Sequence, residues 1–201
     1  RTRSFEILKL YSIFKSGNKT KSIPQSYIPT QSFFDKIASF IRLNLFIPDS
    51  RIGWNYFAFK KAKKLIEDNN INCVITTGPP HSSHLIGKKI YKKFKLKWIV
   101  DLRDPWAELF YLKNKFQFNC VKKLNLKFEL DVLNSADAII TTVGKRYQNI
   151  IKDKLSNTKN IHKIYNGYDK KAYDKIEEIK PDSYNIVFTG ILSKNHNYQL
   201  F

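Results

Sequence analysis

Gly78-Pro79-Pro80-His81-Ser82-Ser83-His84 lies between an apolar run and an amphipathic one, and its residue types suit the binding of an anion or a sugar. A rigid glycine-proline turn followed by Ser82 or Ser83 as a cap would aim a helix's free backbone N–H groups and its dipole at a ligand such as phosphate. His81 stands at the mouth, able to donate to a phosphate or a sugar hydroxyl; its plainer role is to hydrogen-bond the turn. His81 and His84 make a weak zinc reading, because no cysteine or carboxylate has ligand spacing. In Asp101-Leu102-Arg103-Asp104-Pro105-Trp106, side chains two apart share a strand face. Asp101 and Arg103 therefore project together, as a buried bracing pair, while Asp104 is freer to touch a ligand. Trp106 offers a flat apolar surface to a sugar ring or a lipid. Lys145 and Arg146, after Gly144, put two cations at a helix start, where they oppose the dipole. That conflict favours a phosphate-holding role over packing. Asn166-Gly167 reads as a turn requiring positive φ and as a hinge.

The elements that must carry these loops are four short apolar runs: 72–77, 98–102, 138–143 and 161–165. Separated by amphipathic stretches, they read as parallel strands joined by right-handed crossovers in an α/β layer architecture. In such a sheet the loops at the strands' carboxyl ends converge on one crevice. Helices are expected over Trp54 to Ile66, His81 to Phe94, about Val121 to Leu133, and Lys145 to Leu155. Upstream, Ser4 to Phe14 suits a short helix and Ser16 to Gln31 a loop. Ser32 with Asp35 resembles a capping box opening a helix in which Phe34, Ile37, Ile41 and Leu45 share a face beside Phe33 and Phe40; Pro48 ends it. Such a face usually packs on its own core, the reading preferred here; with Lys36 and Arg42 on the polar side, the other is insertion into a membrane interface. Residues 1–168 form a first domain, 169–184 a linker, and 185–201 the start of a second domain, whose strand begins at Asn185.

Lysine and arginine total 36 against 17 acidic residues, a formal charge of +19. Nucleic acid, a phospholipid surface and a phosphorylated substrate all fit such a charge, as does a merely solvated basic surface. Two cysteines without metal spacing point to a reducing compartment and no structural disulfide. No run of about 18 apolar residues spans a bilayer. Arg1 is not a starting methionine and Phe201 ends without a stop signal, so both termini look cut.

Taken in order, Phe46-Ile47-Pro48-Asp49 with Trp54, Gly78 through Gly87, Trp98 through Trp106, Ala136-Asp137-Ala138-Ile139-Ile140-Thr141 and Asn166-Gly167-Tyr168-Asp169 resemble bacterial family 4 glycosyltransferases of the GT-B fold, specifically their amino-terminal, acceptor-side domain. The resemblance implies an incomplete Rossmann-like domain and the start of a second. It implies retaining transfer of a sugar from a nucleotide-sugar donor to a glycan or lipid-linked acceptor in surface glycan synthesis, with no cofactor and no required metal. It places Arg103 and Asp104 as catalytic residues facing the donor sugar, Arg103 standing where many relatives have histidine. His81, Ser82, Ser83, Trp106, Lys145 and Arg146 fall on the acceptor or phosphate side, and Gly190 and Lys194 on the donor side. The family's opening strand precedes Arg1 and its donor-binding carboxylates lie beyond Phe201. A fragment with an exposed sheet edge and no turnover of its own is therefore expected, working in the cytoplasm or at the inner face of the cell membrane, in peripheral contact with anionic lipid.

Two readings from other classes stand beside it. The charge and scattered aromatics suit a nucleic-acid-binding module, though no RNP-like, zinc-finger or basic-zipper signature occurs, so no nucleic-acid partner is expected. A non-catalytic scaffold is the third.

Overall fold

The computed structural model describes residues 33–107, 115–142, 144–174, 183–185 and 187. The expected helix at Ser4 to Phe14, the loop to Gln31, the Ser32–Asp35 capping box and most of the strand after Asn185 lie outside these residues. The chain divides into two units, 1–166 and 167–201. The first carries a four-stranded sheet, β1 (Cys73–Gly78), β2 (Lys97–Leu102), β3 (Ala138–Thr141) and β4 (Asn160–Lys163), ordered as in the sequence. Every neighbouring pair is parallel, with Ile75 opposite Ile99 and Ile99 opposite Ala138. The α/β class and parallel sheet expected from the four apolar runs are therefore present.

Among the described residues of this unit the helices are α1 (Phe33–Leu45), α2 (Asn55–Asp68), α3 (Ser82–Phe94), α4 (Asn119–Ser135) and α5 (Lys145–Lys154), with a 3-10 turn at Ile52–Trp54 leading into α2. Strands that follow one another in spatial order through crossovers of one hand place all their connecting helices on one face. That face presents Trp98, Val100, Leu102 and Ile139, packed with Val132 and Leu133 of α4 and Tyr147 and Ile151 of α5. Complete burial of each large apolar side chain there contributes roughly 1.5–3 kcal/mol. A second cluster, Ala58, Ile86 and Ile90 with Trp54, Phe59 and Ile66, seats α2 on α3. Between α4 and α5 the fully buried Glu129 holds Lys154 at 2.9 Å. The opposite sheet face is open among the described residues: Ile75 is 61% exposed.

Close approach of α3 to the sheet depends on a helical glycine. A Cβ on Gly87 would stand 2.4 Å from Trp98 Nε1 and 2.7 Å from Thr76 Cγ2. The indole N–H instead donates to Thr76 Oγ1 at 2.9 Å.

The stripe on α1 departs from expectation. Rather than packing on the core, Ile37, Phe40, Ile41 and Leu45 remain exposed, and among the described side chains of the helix, which do not include Phe34, the buried one is Asn44. Asn44 Nδ2 donates to the Phe40 and Phe116 carbonyls, and its Oδ1 accepts from Phe118 N–H at 2.9 Å. The helix is thus held by a polar clasp to residues 116–118, which leaves its apolar side outward. In the second unit, the expected linker contains a short helix, α6 (Lys170–Tyr173). Asp169 caps it by accepting from Lys171 N–H at 3.1 Å, and Tyr168 and Tyr173 meet edge to face.

Gly87→Ala should lower unfolding stability by about 2 kcal/mol through overpacking, read as a fall in urea midpoint at unchanged slope. A midpoint equal to wild type would show that α3 has room to shift.

Candidate functional site

The four strands end in loops that are stitched into one rim. Arg103 N–H donates to the Gly78 carbonyl at 3.0 Å, Thr142 Oγ1 to the Arg103 carbonyl at 2.8 Å, and Ile164 N–H to the Thr141 carbonyl at 3.0 Å. Arg103 Nη2 donates to Asn166 Oδ1 at 3.3 Å. The histidine turn, the arginine-aspartate corner and Asn166 accordingly lie side by side. The expected Asp101–Arg103 brace is absent: the Arg103 side chain is exposed and bonds Asn166 instead. Rim water can solvate a guanidinium that would be costly to bury beside a single carboxylate.

Asp104 belongs to the other side of the rim, a cavity of about 90 Å³. Its walls include Arg42 of α1, Phe46 and Asp49 from the segment after α1, Pro79, Pro80 and His81 from the turn after β1, and Trp106 and Asn125. The Asp104 carboxylate is exposed, and its backbone carbonyl accepts from Tyr147 Oη at 3.5 Å.

The anion cradle expected at Ser82 and Ser83 is filled from within the chain. Helix α3 begins after His81, which supplies no side-chain cap. Asp49 takes the place: its Oδ2 accepts from Ser82 N–H at 2.8 Å, and its Oδ1 accepts from Ser82 Oγ at 2.8 Å and Arg51 N–H at 2.9 Å. A carboxylate there satisfies the free N–H and complements the dipole. Ser83 Oγ donates to the Thr77 carbonyl at 2.6 Å. Both hydroxyls are thus structural, and a phosphate entering here would meet a carboxylate.

Trp106 does not form the exposed platform expected of it. It is 1% exposed, donates from Nε1 to Asn125 Oδ1 at 2.9 Å, and is stacked on His81 with centroids 4.7 Å apart and planes 10° apart. Stacking the imidazole buries both rings while the indole N–H keeps a partner. His84 lies beneath, fully buried, its Nδ1 sharing a hydrogen bond with Thr76 Oγ1 at 2.9 Å. Gly78 is needed for this arrangement, since a Cβ would lie 2.5 Å from His84 Nε2.

Burial pushes the His81 pKa down to about 4, with Asp49, the Pro105 backbone and Asp104 acting the other way. The Pro105 carbonyl side favours the proton, yet neither His81 nitrogen forms a hydrogen bond of ordinary geometry. Burial, and then the charge on His81, lower His84 to about 3. Both rings are neutral at pH 7.

Lys145 and Arg146 are exposed at the start of α5 and do not line the cavity. Gly167 follows the boundary between the units, and no glycine among the described residues has positive φ. The chain after β4 runs on without the expected tight reversal, so the Asn166-Gly167 turn is corrected to an open connection. Gly190 and Lys194 lie outside the described residues. Among those described, no group of three or more histidine, cysteine or acidic residues is placed to hold a metal. Sequence reasoning missed Asp49, Thr76 and Asn125 as residues that position the site. The one available signal was a helix starting at serine without an acidic residue in its first turn, which calls for an acceptor from elsewhere. No protein-family model, curated protein or solved structure matches the chain.

Asp49→Ala should cost about 3 kcal/mol, the order expected when charge-assisted bonds to a helix end are lost, with Asp49→Asn retaining part of it; equal stability of all three proteins by urea unfolding would refute the clasp. The histidines give a pH dependence of definite sign. Each has a folded pKa below its unfolded value near 6.5, so the unfolded chain binds more protons as pH falls through that value, and stability declines toward pH 4. At about 1.4 kcal/mol per pKa unit, His81 alone removes on the order of 3 kcal/mol between pH 7 and pH 4. His81→Phe should flatten the profile of urea midpoint against pH, and an unchanged slope would contradict the assignment.

Proposed function

We propose that this chain is the acceptor-side part of a retaining, metal-independent glycosyltransferase of the GT-B type, acting on the cytoplasmic side of the cell membrane in surface glycan synthesis. The observation that carries the reading is the convergence of the histidine turn and the arginine-aspartate corner on one rim, with Asp104 at the mouth of a cavity walled by neutral His81 and the edge of Trp106. Hydroxyl groups of a sugar suit such a wall, because Asp49 and Asp104 line it together with Arg42 and so mix acceptors with a cation. A carboxylate accepts hydrogen bonds from hydroxyls, and bonds to a charged partner are the stronger kind.

In the proposed reaction the bond from the donor sugar's anomeric carbon to the nucleotide phosphate breaks, its electron pair leaving with the nucleotide. An acceptor hydroxyl oxygen bonds the same carbon on the same face and passes its proton to the departing phosphate oxygen. Asp104 orients the sugar through its hydroxyls; Arg103, held by Asn166 on the outer rim, faces the charge that grows on the leaving phosphate.

Binding of a panel of glycan and lipid-linked glycan acceptors, read by the change in intrinsic tryptophan fluorescence, tests the assignment. At least one should bind, and Asp104→Ala should weaken it about tenfold, as expected for loss of a charged hydrogen bond. Silence across the panel, or affinity indifferent to Asp104→Ala, would overturn it.

A further inference from the structure

We infer that α1 and residues 115–118 form a docking surface for an anionic lipid bilayer. Four large apolar residues of α1, Ile37, Phe40, Ile41 and Leu45, stand 41%, 41%, 38% and 70% exposed, and beside them Phe116 and Phe118 stand 65% and 46% exposed. They form one patch. The Phe40 ring lies 5.9 Å from Phe116 and 5.6 Å from Phe118, and the Phe116 and Phe118 rings meet edge to face at 5.3 Å. The Asn44 clasp and the bond from Gln117 Nε2 to the Leu43 carbonyl fix the helix to the 116–118 segment. The patch is thus a rigid, preformed surface.

Its edges carry positive charge. A groove of about 480 Å³ between the helix and the segment is lined by Ile37, Phe40, Leu43 and Phe116, with Lys36 and Lys115 as the charged members among the described residues. An amphipathic helix with aromatics on one side and lysines at the flank lies naturally in the boundary between lipid headgroups and acyl chains, and basic residues near the surface add attraction to anionic lipid. The net charge of +19 favours that occupant over a second copy of this chain, which would bring an equal charge against it. Among the described residues no helix is long and apolar enough to cross a membrane, so the contact inferred is peripheral. This inference does not need sugar transfer: vesicle binding is measured without any glycan, so it and the proposed function fail separately.

Cosedimentation with vesicles of phosphatidylcholine alone, or of phosphatidylcholine mixed with phosphatidylglycerol, provides the test. The full chain should bind the mixed vesicles and lose binding as salt rises. Ile37→Ser with Leu45→Ser should weaken it about tenfold, and Lys36→Glu with Lys115→Glu by a similar factor. Lys60→Glu with Lys64→Glu changes the charge equally on the exposed side of α2 and should weaken it no more than about twofold. Circular dichroism of each variant confirms folding. Equal binding to both vesicles, no binding, or equal loss in the α2 control would overturn the inference. So would light scattering that shows a dimer which Ile37→Ser with Leu45→Ser converts to monomer.

Discussion

A helix that begins without a capping side chain of its own leaves backbone N–H groups that must find an acceptor. In this fold Asp49 supplies it from 33 residues upstream. Much follows from that one carboxylate. It ties the segment after α1 to the turn after β1, and so builds the wall of the cavity whose other side is Asp104 and Trp106. It also reverses the electrostatic character of the spot. A helix N-terminus in a strongly basic chain would attract anions, yet here the attraction is spent on an internal partner, and the cavity presents carboxylates and neutral rings beside Arg42.

Those rings form the second constraint. Trp98 and His84 both meet the Thr76 hydroxyl, and His81 lies flat on Trp106, so β1, β2, α3 and the loop after β2 share one continuous stack of aromatic and imidazole groups. Two glycines make room for it, Gly78 under the imidazoles and Gly87 under the indole. Polar atoms within a tightly packed interior give the stack a defined geometry at the expense of tolerance to protonation. The price is a fold that depends on its histidines remaining neutral.

Sequence pattern revealed the parts of this architecture that local chemistry determines. The apolar runs from Cys73, Trp98, Ala138 and Ile161 are strands, and helices lie where the apolar spacing placed them, because short runs bounded by turn residues and helical stripes are encoded by neighbours. The misses have a common origin in contacts between residues far apart in the chain. The partner of Ser82 is Asp49, the partner of Arg103 is Asn166, and the face of Trp106 belongs to His81. Nothing in the spacing of Phe34, Ile37, Ile41 and Leu45 separates a stripe that packs inward from one that faces outward. Asn44, a polar residue within that stripe and buried by its bonds to residues 116 and 118, decides the matter.

The sheet has one further consequence, and it is colloidal. With every described crossover helix on one face, the side bearing Ile75 and the half-buried Ile99 and Ile140 is uncovered among the described residues, next to an edge of β1 that no described strand pairs. Mutual repulsion between molecules of charge +19 opposes the stacking of such faces at low ionic strength. As the Debye length shrinks from about 30 Å at 0.01 M to about 3 Å at 1 M, that barrier thins, and the attraction between such faces counts for more as salt rises.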